Sequence, residues 1–359
     1  VPFLSVSPVH FRNLQDTTID LLAPQVFFVG DNGQGKTNIL EALYVVSYAS
    51  SFRTRTEAEL VKTKENSYSV RGFYRDQNGK ADTVAVQYDG SKKKILKNGK
   101  TVNDRKDLID TIPCVLFCHD DLDFAAGEPE RRRFFIDQSL SMYDVLYVDV
   151  LRKYKKILKS RNSVLREERF DMLDVYDIEL AQTGREIVKK RYETLYRFNH
   201  IFTDLYERIT GINGVTLLYD SAWKDKKYEQ VLDILQKKRE SDKIMKTTLS
   251  GPHRDKIRFM RFEQPFIPSA STGQRRLAAL LLRVCQAVHY TEVTGKKPVL
   301  LMDDVLLELD PNKRESVTGM LPPYDQLFCT FLTEEPYRRY MKNETRVYSV
   351  KEGCVSESS

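Results

Sequence analysis

The stretch from Gln25 to Ser47, QVFFVGDNGQGKTNILEALYVVS, limits what this chain can become more than any other. Val26, Phe27, Phe28 and Val29 form a short apolar run of the kind that makes a buried strand. Gly30-Asp31-Asn32-Gly33-Gln34-Gly35-Lys36-Thr37 then fits G-x-x-x-x-G-K-[ST] without a gap, and Ile39, Leu40, Leu43 and Val46 recur at helical spacing. Strand, glycine loop and helix is the context a phosphate loop requires. The glycines let successive N–H groups curl onto phosphate oxygens, and the following helix adds its positive dipole end. Lys36 supplies a full charge to the terminal phosphates and Thr37 offers a hydroxyl to Mg²⁺, so the motif predicts a nucleoside-triphosphate site. A dinucleotide fold is excluded, because the third glycine of G-x-G-x-x-G would fall on Asn38.

A second constellation answers the first. Pro298-Val-Leu-Leu-Met302 reads as a buried strand that ends in Asp303 and Asp304. At that place Asp303 is suited to hold Mg²⁺ through water opposite Thr37, and Asp304 to orient or deprotonate an attacking water. Alone, two acids at a strand end could as well be helix caps or a solvated turn; a phosphate loop in the same chain favours the catalytic reading. Upstream, Ser271-Thr-Gly273-Gln274 opens a long apolar helix, and a serine, a glycine and a helix N-terminus together make an anion site.

The chain has 359 residues, enough for two or three domains, and no apolar run approaches the length of a membrane span. Its opening, VPFLSVSPVHF, lacks the features of a signal peptide, and its cysteines show no C-x-x-C or framework spacing. A reduced, cytoplasmic protein is expected. The net charge of +6 is modest, but its distribution is uneven. Arg152, Lys153, Lys155, Lys156, Lys159, Arg161, Arg166 and Arg169 face only Glu167 and Glu168 within their window. Lys92, Lys93, Lys94, Lys97, Lys100, Arg105 and Lys106 are opposed only by Asp104. Such runs are commonly solvated faces; nucleic-acid backbone is the leading functional alternative.

In chain order, two short strands precede the phosphate-loop strand, joined by a turn near His10 to Asn13. From Tyr68 to Val102, Asn78-Gly79, Asp89-Gly90 and Asn98-Gly99 punctuate alternating apolar residues and predict an antiparallel meander. After the strand Ile112–Phe117, Pro129 starts a helix whose first turn, Arg131-Arg132-Arg133, opposes the helix dipole and calls for an anionic partner. Helix then dominates to about Lys246. A long helix through Ile178, Val188, Leu195, Phe202 and Ile209 pairs with one from Tyr143 to Leu165 as an antiparallel arm. Strands at Ile257–Phe262, Val299–Met302, Gln326–Thr330 and Arg346–Val350 and a helix at Gln274–Thr294 complete the pattern.

The serine–glycine stretch at Ser271–Gln274 resembles the signature of ABC-type ATPases, and Leu306-Leu-Glu308-Leu-Asp310 resembles their D-loop. Gly30-x-Asn32-Gly-x-Gly-Lys-Thr-Asn38 and the helical insertion resemble the chromosome-maintenance branch. Phe11-Arg12-Asn13-Leu14, Ser51-Phe52-Arg53-Thr54, Glu130-Arg-Arg-Arg-Phe134, Leu249-Ser-Gly-Pro-His-Arg-Asp255 and Asp303-Asp-Val-Leu306 resemble the RecF family, in the right order over nearly the whole chain. That resemblance implies an α/β fold, a two-lobed ABC-type ATPase head with phosphate loop and antiparallel sheet, plus an inserted helical arm. The head would comprise 1–127 and 247–359, the arm 128–246. It implies ATP and Mg²⁺ as cofactors, with Arg12, Asn13, the loop from Gly30 to Asn38, and Ser271, Gly273 and Gln274 of a second subunit at the nucleotide. Lys36 and Asp304 would serve hydrolysis, and Thr37 and Asp303 the metal. It further implies an ATP-dependent homodimer that binds gapped or junction DNA and works with RecR and RecO to load RecA. Lys92, Lys93 and Lys94 of the hairpin and Arg131, Arg132 and Arg133 are the candidate DNA contacts.

The chain departs from its resemblances in places. His119-Asp120-Asp121 stands where the family often has Pro-Glu-Asp, so Asp120 and Asp121 are the residues available in place of a Q-loop glutamine. No histidine follows Asp304 to act as the switch of transporter ATPases; Thr330 or Thr333 is available there. His253-Arg254-Asp255 matches a kinase H-R-D, but Met260 occupies the position due an asparagine, and the kinase reading fails. A scaffold that uses ATP only to dimerise remains the main alternative. A transporter subunit is disfavoured by the absent histidine and the inserted arm.

Overall fold

The computed structural model describes residues 2–358 except Gln77 and 306–315. The D-loop-like stretch from Leu306 to Asp310 therefore lies outside the described residues. The chain forms two compact units, one of Val1–Asp120 with Tyr290–Ser359, the other Asp121–His289.

The first unit supplies β1 (Phe3–Val9), β2 (Ile19–Asp20), β3 (Gln25–Val29), α1 (Lys36–Tyr48), β4 (Tyr68–Arg75), β5 (Ala81–Tyr88), β6 (Lys93–Lys97), β7 (Lys100–Thr101) and β8 (Cys114–Phe117). Its later part adds β12 (Val299–Met302), β13 (Gln326–Phe331), β14 (Thr345–Lys351) and β15 (Cys354–Glu357). One sheet has the order β2-β1-β4-β5-β6-β7 and is antiparallel throughout. Its hairpins turn at the Asn-Gly and Asp-Gly pairs, where Gly79, Gly90, Asn98 and Gly99 take positive φ. The other sheet, β15-β14-β3-β13-β12-β8, is parallel except for its edge strand β15.

β3 is buried at every residue because parallel neighbours flank it on both sides and α1 covers a face. α1 touches both sheets, and most of its residues are buried. Ile39, Leu43 and Val46 join Val6, Val70 and Val84 with Val26, Leu301 and Phe328 in one apolar cluster. At Gly72 a Cβ would stand 2.5 Å from Val46 Cγ1, so only glycine admits the helix this closely. Gln326 fastens the sheets to each other. Its Nε2 donates to the carbonyls of Phe3, Leu21 and Ala23 at 2.8–3.0 Å, and its Oε1 accepts from the Phe3 N–H at 2.6 Å.

The second unit is mainly helical: α2 (Leu122–Ala126), α3 (Pro129–Ser141), α4 (Val145–Arg166), α5 (Leu173–Thr210), α6 (Tyr228–Met245) and most of α7 (Thr272–Thr294). Pro129 occupies the first turn of α3, as expected. A sheet β11-β10-β9, built from β9 (Val215–Asp220), β10 (Lys256–Arg261) and β11 (Gln264–Pro265), also belongs here. β9 was not anticipated within the helical stretch. It pairs along its whole length with β10, which is why 247–289 groups with the helices instead of with the phosphate-loop unit, where the sequence had placed it.

Two side-chain networks hold this unit together. Arg161, counted among the basic residues of the arm, is fully buried: it donates to Asp177 and Asp242 at 2.7 Å and to Thr248 at 2.8 Å. Arg239 completes the set by donating to Asp177 at 2.8 Å and to Asp174. The Leu249–Asp255 string forms the second. Trp223 Nε1 donates to Ser250 Oγ at 2.8 Å, Arg191 donates to the Pro252 carbonyl at 2.7 Å, and Tyr219 donates to Asp255. His253 Nε2 donates to the Thr248 carbonyl at 3.0 Å, so Nδ1 accepts from Tyr154 at 2.7 Å. Burial pushes this imidazole down to about 4, and it stays neutral at physiological pH. The string ties α4 and α5 to β9 and β10.

Candidate functional site

The phosphate loop runs from the end of β3 into α1 with Gly33 at φ 77° and Gly35 at φ 117°. Lys36 is 4% exposed, and its ammonium donates to the carbonyls of Gly30 at 2.8 Å and Asp31 at 3.0 Å. The ammonium is therefore folded back over the loop. Thr37 Oγ1 donates to Asp303 Oδ1 at 2.9 Å, so the two residues picked for a metal from opposite ends of the sequence meet. Burial, then the charge of Asp304, pushes the Asp303 carboxyl up to about 6, against the pull of the Thr37 and Thr330 hydroxyls and of Arg53. A half-buried acid pair beside a hydroxyl is a set of hard oxygen donors suited to a divalent cation that takes its remaining ligands from water and phosphate.

The loop is gripped from two sides. Asn13 Nδ2 donates to the Gly33 carbonyl at 3.2 Å, and Asn38 Nδ2 donates to Asn13 Oδ1 at 2.7 Å. A Cβ on Gly35 would come within 2.9 Å of that same oxygen. From the other side the β14–β15 turn presses in. The Gly353 N–H donates to the Gln34 carbonyl at 2.8 Å, the Glu352 N–H to Gln34 Oε1 at 2.7 Å, and the Gln15 N–H to the Gly353 carbonyl at 2.9 Å. Gln34 thus braces the loop, a role that sequence pattern had not assigned. Asp31 and Asn32 are exposed at the rim, where Thr333 donates to Asp31.

Arg12 was expected to face nucleotide. Instead its Nε and Nη2 donate to Glu41 at 2.9 Å, and Nη1 donates to the Glu59 carbonyl at 2.7 Å. Glu41 is fully buried on α1 and also accepts from Ser51, so Arg12 secures the loop that carries Asn13. Arg53 is the freer cation. Its side chain is 42% exposed, its Nη1 donates to Asn38 Oδ1 at 2.8 Å, and its charge reaches Asp303. In the sequence Arg53 stands out only as part of the Ser51-Phe52-Arg53-Thr54 string.

Asp121 is buried and accepts from Arg283 Nε at 3.0 Å and Nη2 at 2.7 Å. That ion pair, within the helical unit, removes it as a nucleotide ligand; Asp120 is exposed. In the same unit Ser271 and Gln274 cap α7 reciprocally. The Ser271 N–H donates to Gln274 Oε1 at 2.8 Å and the Gln274 N–H to Ser271 Oγ at 3.3 Å. The glutamine is thus accounted for locally, as a capping box. A Cβ on Gly273 would meet nothing within 4 Å, leaving the helix start open to an approaching group.

The basic candidates divide. Lys92 and Lys94 are exposed, whereas Lys93 turns inward to Glu57 and to the Ala49 carbonyl. Lys97 is likewise engaged, donating to Thr111 Oγ1 at 2.9 Å. Two of the three arginines in this turn are held by backbone carbonyls. Arg132 donates to the Ala125 and Gly127 carbonyls at 3.2 and 2.9 Å, satisfying the end of α2, and Arg133 donates to the Asp255 carbonyl at 2.8 Å. Arg131 is exposed and lies 3.6 Å from Asp123.

A family model described as the RecF/RecN/SMC N terminal domain matches residues 5–356. The DNA replication and repair protein RecF of Treponema pallidum (strain Nichols) is 52% identical over 354 residues, covering 98% of this chain and 100% of that protein. RecF of Clostridium perfringens (strain SM101 / Type A) is 33% identical, covering 98% of each chain. A solved structure described as the recombination mediator protein RecF with ATP in the RecFOR pathway aligns at TM-score 0.90 and 27% identity, over 100% of this chain and 98% of that one. An Smc head bound to the C-winged helix domain of ScpA shares the fold at TM-score 0.59 and 12% identity, over 100% of this chain and 98% of its own. The fold is the ABC-type ATPase head with an inserted helical arm, and the chain belongs to the RecF family.

Proposed function

We propose that this chain is a DNA-repair ATPase that binds Mg²⁺·ATP, dimerises on it and clamps gapped or junction DNA, turning the nucleotide over slowly. The observation that carries the reading is the 2.9 Å bond between Thr37 and Asp303, which joins the loop and strand motifs into one oxygen-donor site. In this reading the loop N–H groups and Lys36 hold the phosphates, and Arg53 adds a cation beside Asn38. Thr37 and Asp303 would hold Mg²⁺, which supplies charge neutralisation between the terminal phosphates. Asp304 takes the proton of the attacking water; it is one methylene shorter than glutamate, consistent with slow turnover.

Ser271 and Gly273 of a second copy would close over the γ-phosphate. The closed interface hydrogen-bonds anionic oxygens that ADP lacks, so ATP favours the dimer by its differential affinity. Of the six candidate DNA contacts, Lys92, Lys94 and Arg131 are the exposed ones and would meet the DNA backbone. The relative solved with ATP is described as a recombination mediator of the RecFOR pathway, and RecR and RecO, with RecA downstream, are the corresponding partners proposed here.

Sedimentation with ATP and a gapped duplex tests the reading. Lys36→Ala should lose nucleotide and dimer together, Asp304→Asn should dimerise without hydrolysing, and Ser271→Arg should bind ATP as a monomer. A Ser271→Arg protein that still dimerises with ATP overturns the composite site.

A further inference from the structure

β12 and β13 run parallel with Met302 opposite Cys329, so Asp303, one residue past the end of β12, stands beside Thr330, which is still within β13. Thr330 is 3% exposed. Its hydroxyl oxygen accepts from the Asp304 N–H at 2.8 Å and lies 2.7 Å from Asp304 Oδ1 and 3.3 Å from Asp303 Oδ1. A hydroxyl carries one proton, and the shorter distance assigns it to Asp304. One side chain therefore grips Asp304 twice, by its backbone and by its carboxylate. The backbone grip has a purpose that can be read from the dihedral. Asp304 has φ 53°, a left-handed conformation that costs a non-glycine residue on the order of 1 kcal/mol. The bond from its N–H to Thr330 is what that conformation gains in return. The carboxylate grip occupies Oδ1, and Oδ2 has no protein partner among the described residues.

We infer that Thr330 is the positioning residue for the hydrolytic base: it fixes the backbone and rotamer of Asp304 so that a single carboxylate oxygen is left for water. The inference rests on the hydrolytic role proposed for Asp304. It goes beyond that role by naming the group that makes a short carboxylate competent, and by assigning the function to an uncharged hydroxyl on the adjacent strand. A hydroxyl suits the task because it accepts from the backbone and donates to the carboxylate at once. An alkyl group of the same shape does neither. The hydroxyl also stands between two carboxylates, so it orients Asp304 without adding a charge that would compete with a cation held by Asp303.

A merely structural hydroxyl, buried and satisfied, would affect stability and leave turnover per bound nucleotide alone. The two roles separate in Thr330→Val, which keeps the shape and removes the hydroxyl, and Thr330→Ser, which restores it. Three quantities are read on the full chain with a gapped duplex: affinity for a fluorescent ATP analogue, kcat and KM for ATP, and melting temperature. The expected result is an affinity within about twofold of wild type for Thr330→Val with kcat lowered about 10- to 100-fold, the loss typical of a misplaced general base. Thr330→Ser should recover kcat to within about threefold. Thr330→Ala, which adds no bulk, must track the valine variant, so that poor folding of one cannot decide the matter. Turnover in Thr330→Val and Thr330→Ala equal to wild type, or a serine variant that binds ATP but fails to recover, overturns the inference while the ATPase reading stands. Wild-type protein that binds ATP and never hydrolyses it overturns the ATPase reading and this inference with it.

Discussion

Replacing Asp303 by asparagine should make the nucleotide-free protein more stable while removing its use for Mg²⁺. The carboxyl is pushed up to about 6 from an ordinary 3.8, chiefly because burial disfavours its charge and Asp304 stands beside it. A carboxyl raised in the fold contributes its full stability below the unfolded value near 4. That contribution is lost as pH rises through about 6, and above this the fold bears a constant penalty. About two units at about 1.4 kcal/mol each give a penalty of roughly 3 kcal/mol at neutral pH. Asparagine keeps an oxygen to accept the Thr37 hydroxyl and carries no charge, so Asp303→Asn should melt several degrees higher at pH 7.5 without nucleotide. At pH 5, where the wild-type penalty is about halved, the gap should narrow accordingly. Adding Mg²⁺ and ATP should stabilise wild type more than the variant, because a carboxylate and not an amide is the better ligand for a hard cation. Scanning fluorimetry at the two pH values, with and without Mg²⁺·ATP, reads all of this. A variant less stable than wild type at pH 7.5, or an offset that ignores pH, refutes the reasoning.

Three other outcomes follow from packing and charge. Gly353→Ala would place a Cβ 1.9 Å from the Asn13 carbonyl oxygen at φ 76°, so it should lower stability by about 2–4 kcal/mol and abolish binding of a fluorescent ATP analogue through displacement of Gln34. Arg161→Ala leaves Asp177 and Asp242 buried with their central cation gone; a loss of about 3–5 kcal/mol, seen as rapid proteolysis of the helical unit, is expected. Lys92→Glu with Lys94→Glu should weaken DNA binding and lower the salt slope by about 0.9 per lost phosphate contact, in filter binding at several salt concentrations. Lys93→Glu would set two carboxylates against each other at the Lys93–Glu57 pair and should instead act through thermal stability.

What could be read from the sequence was what short spans determine. The phosphate loop, the Asn-Gly and Asp-Gly turns and the strand ending in Asp303 and Asp304 each carry their signal within a few residues, and each stands where expected. Charge runs misled in a consistent way. Arg161, Lys93, Arg132 and Arg133 read as surface cations because sequence shows charge without showing partners; those of Arg161, Lys93 and Arg133 come from distant segments, and those of Arg132 are carbonyls at the end of the preceding helix. β9 was lost in helical surroundings because its partner β10 lies beyond an entire helix. The roles of Gln34 and Glu41 depend on a turn at Glu352–Gly353 and on Arg12, neither of which local pattern connects to them. Ser271 shows the converse: a serine and a glutamine three apart satisfy each other as a helix cap, so their presence does not by itself require a phosphate.

The strand that delivers the phosphate loop has a consequence for how the protein is made. β3 leaves the ribosome early, yet its two neighbours, β13 and β14, are translated only after the whole helical unit. Throughout that interval an apolar strand with two open edges is present without either partner, the condition under which nascent chains mispair or aggregate. Gln326 and the Glu352–Gly353 turn arrive in the same late segment, so the loop gains its brace and the two sheets their fastening at one stage of synthesis. Nucleotide binding is therefore acquired late and as a unit. A chain truncated before β13 retains the complete G-x-x-x-x-G-K-T sequence but no sheet to hold it, and should present to the cell as a client for chaperones.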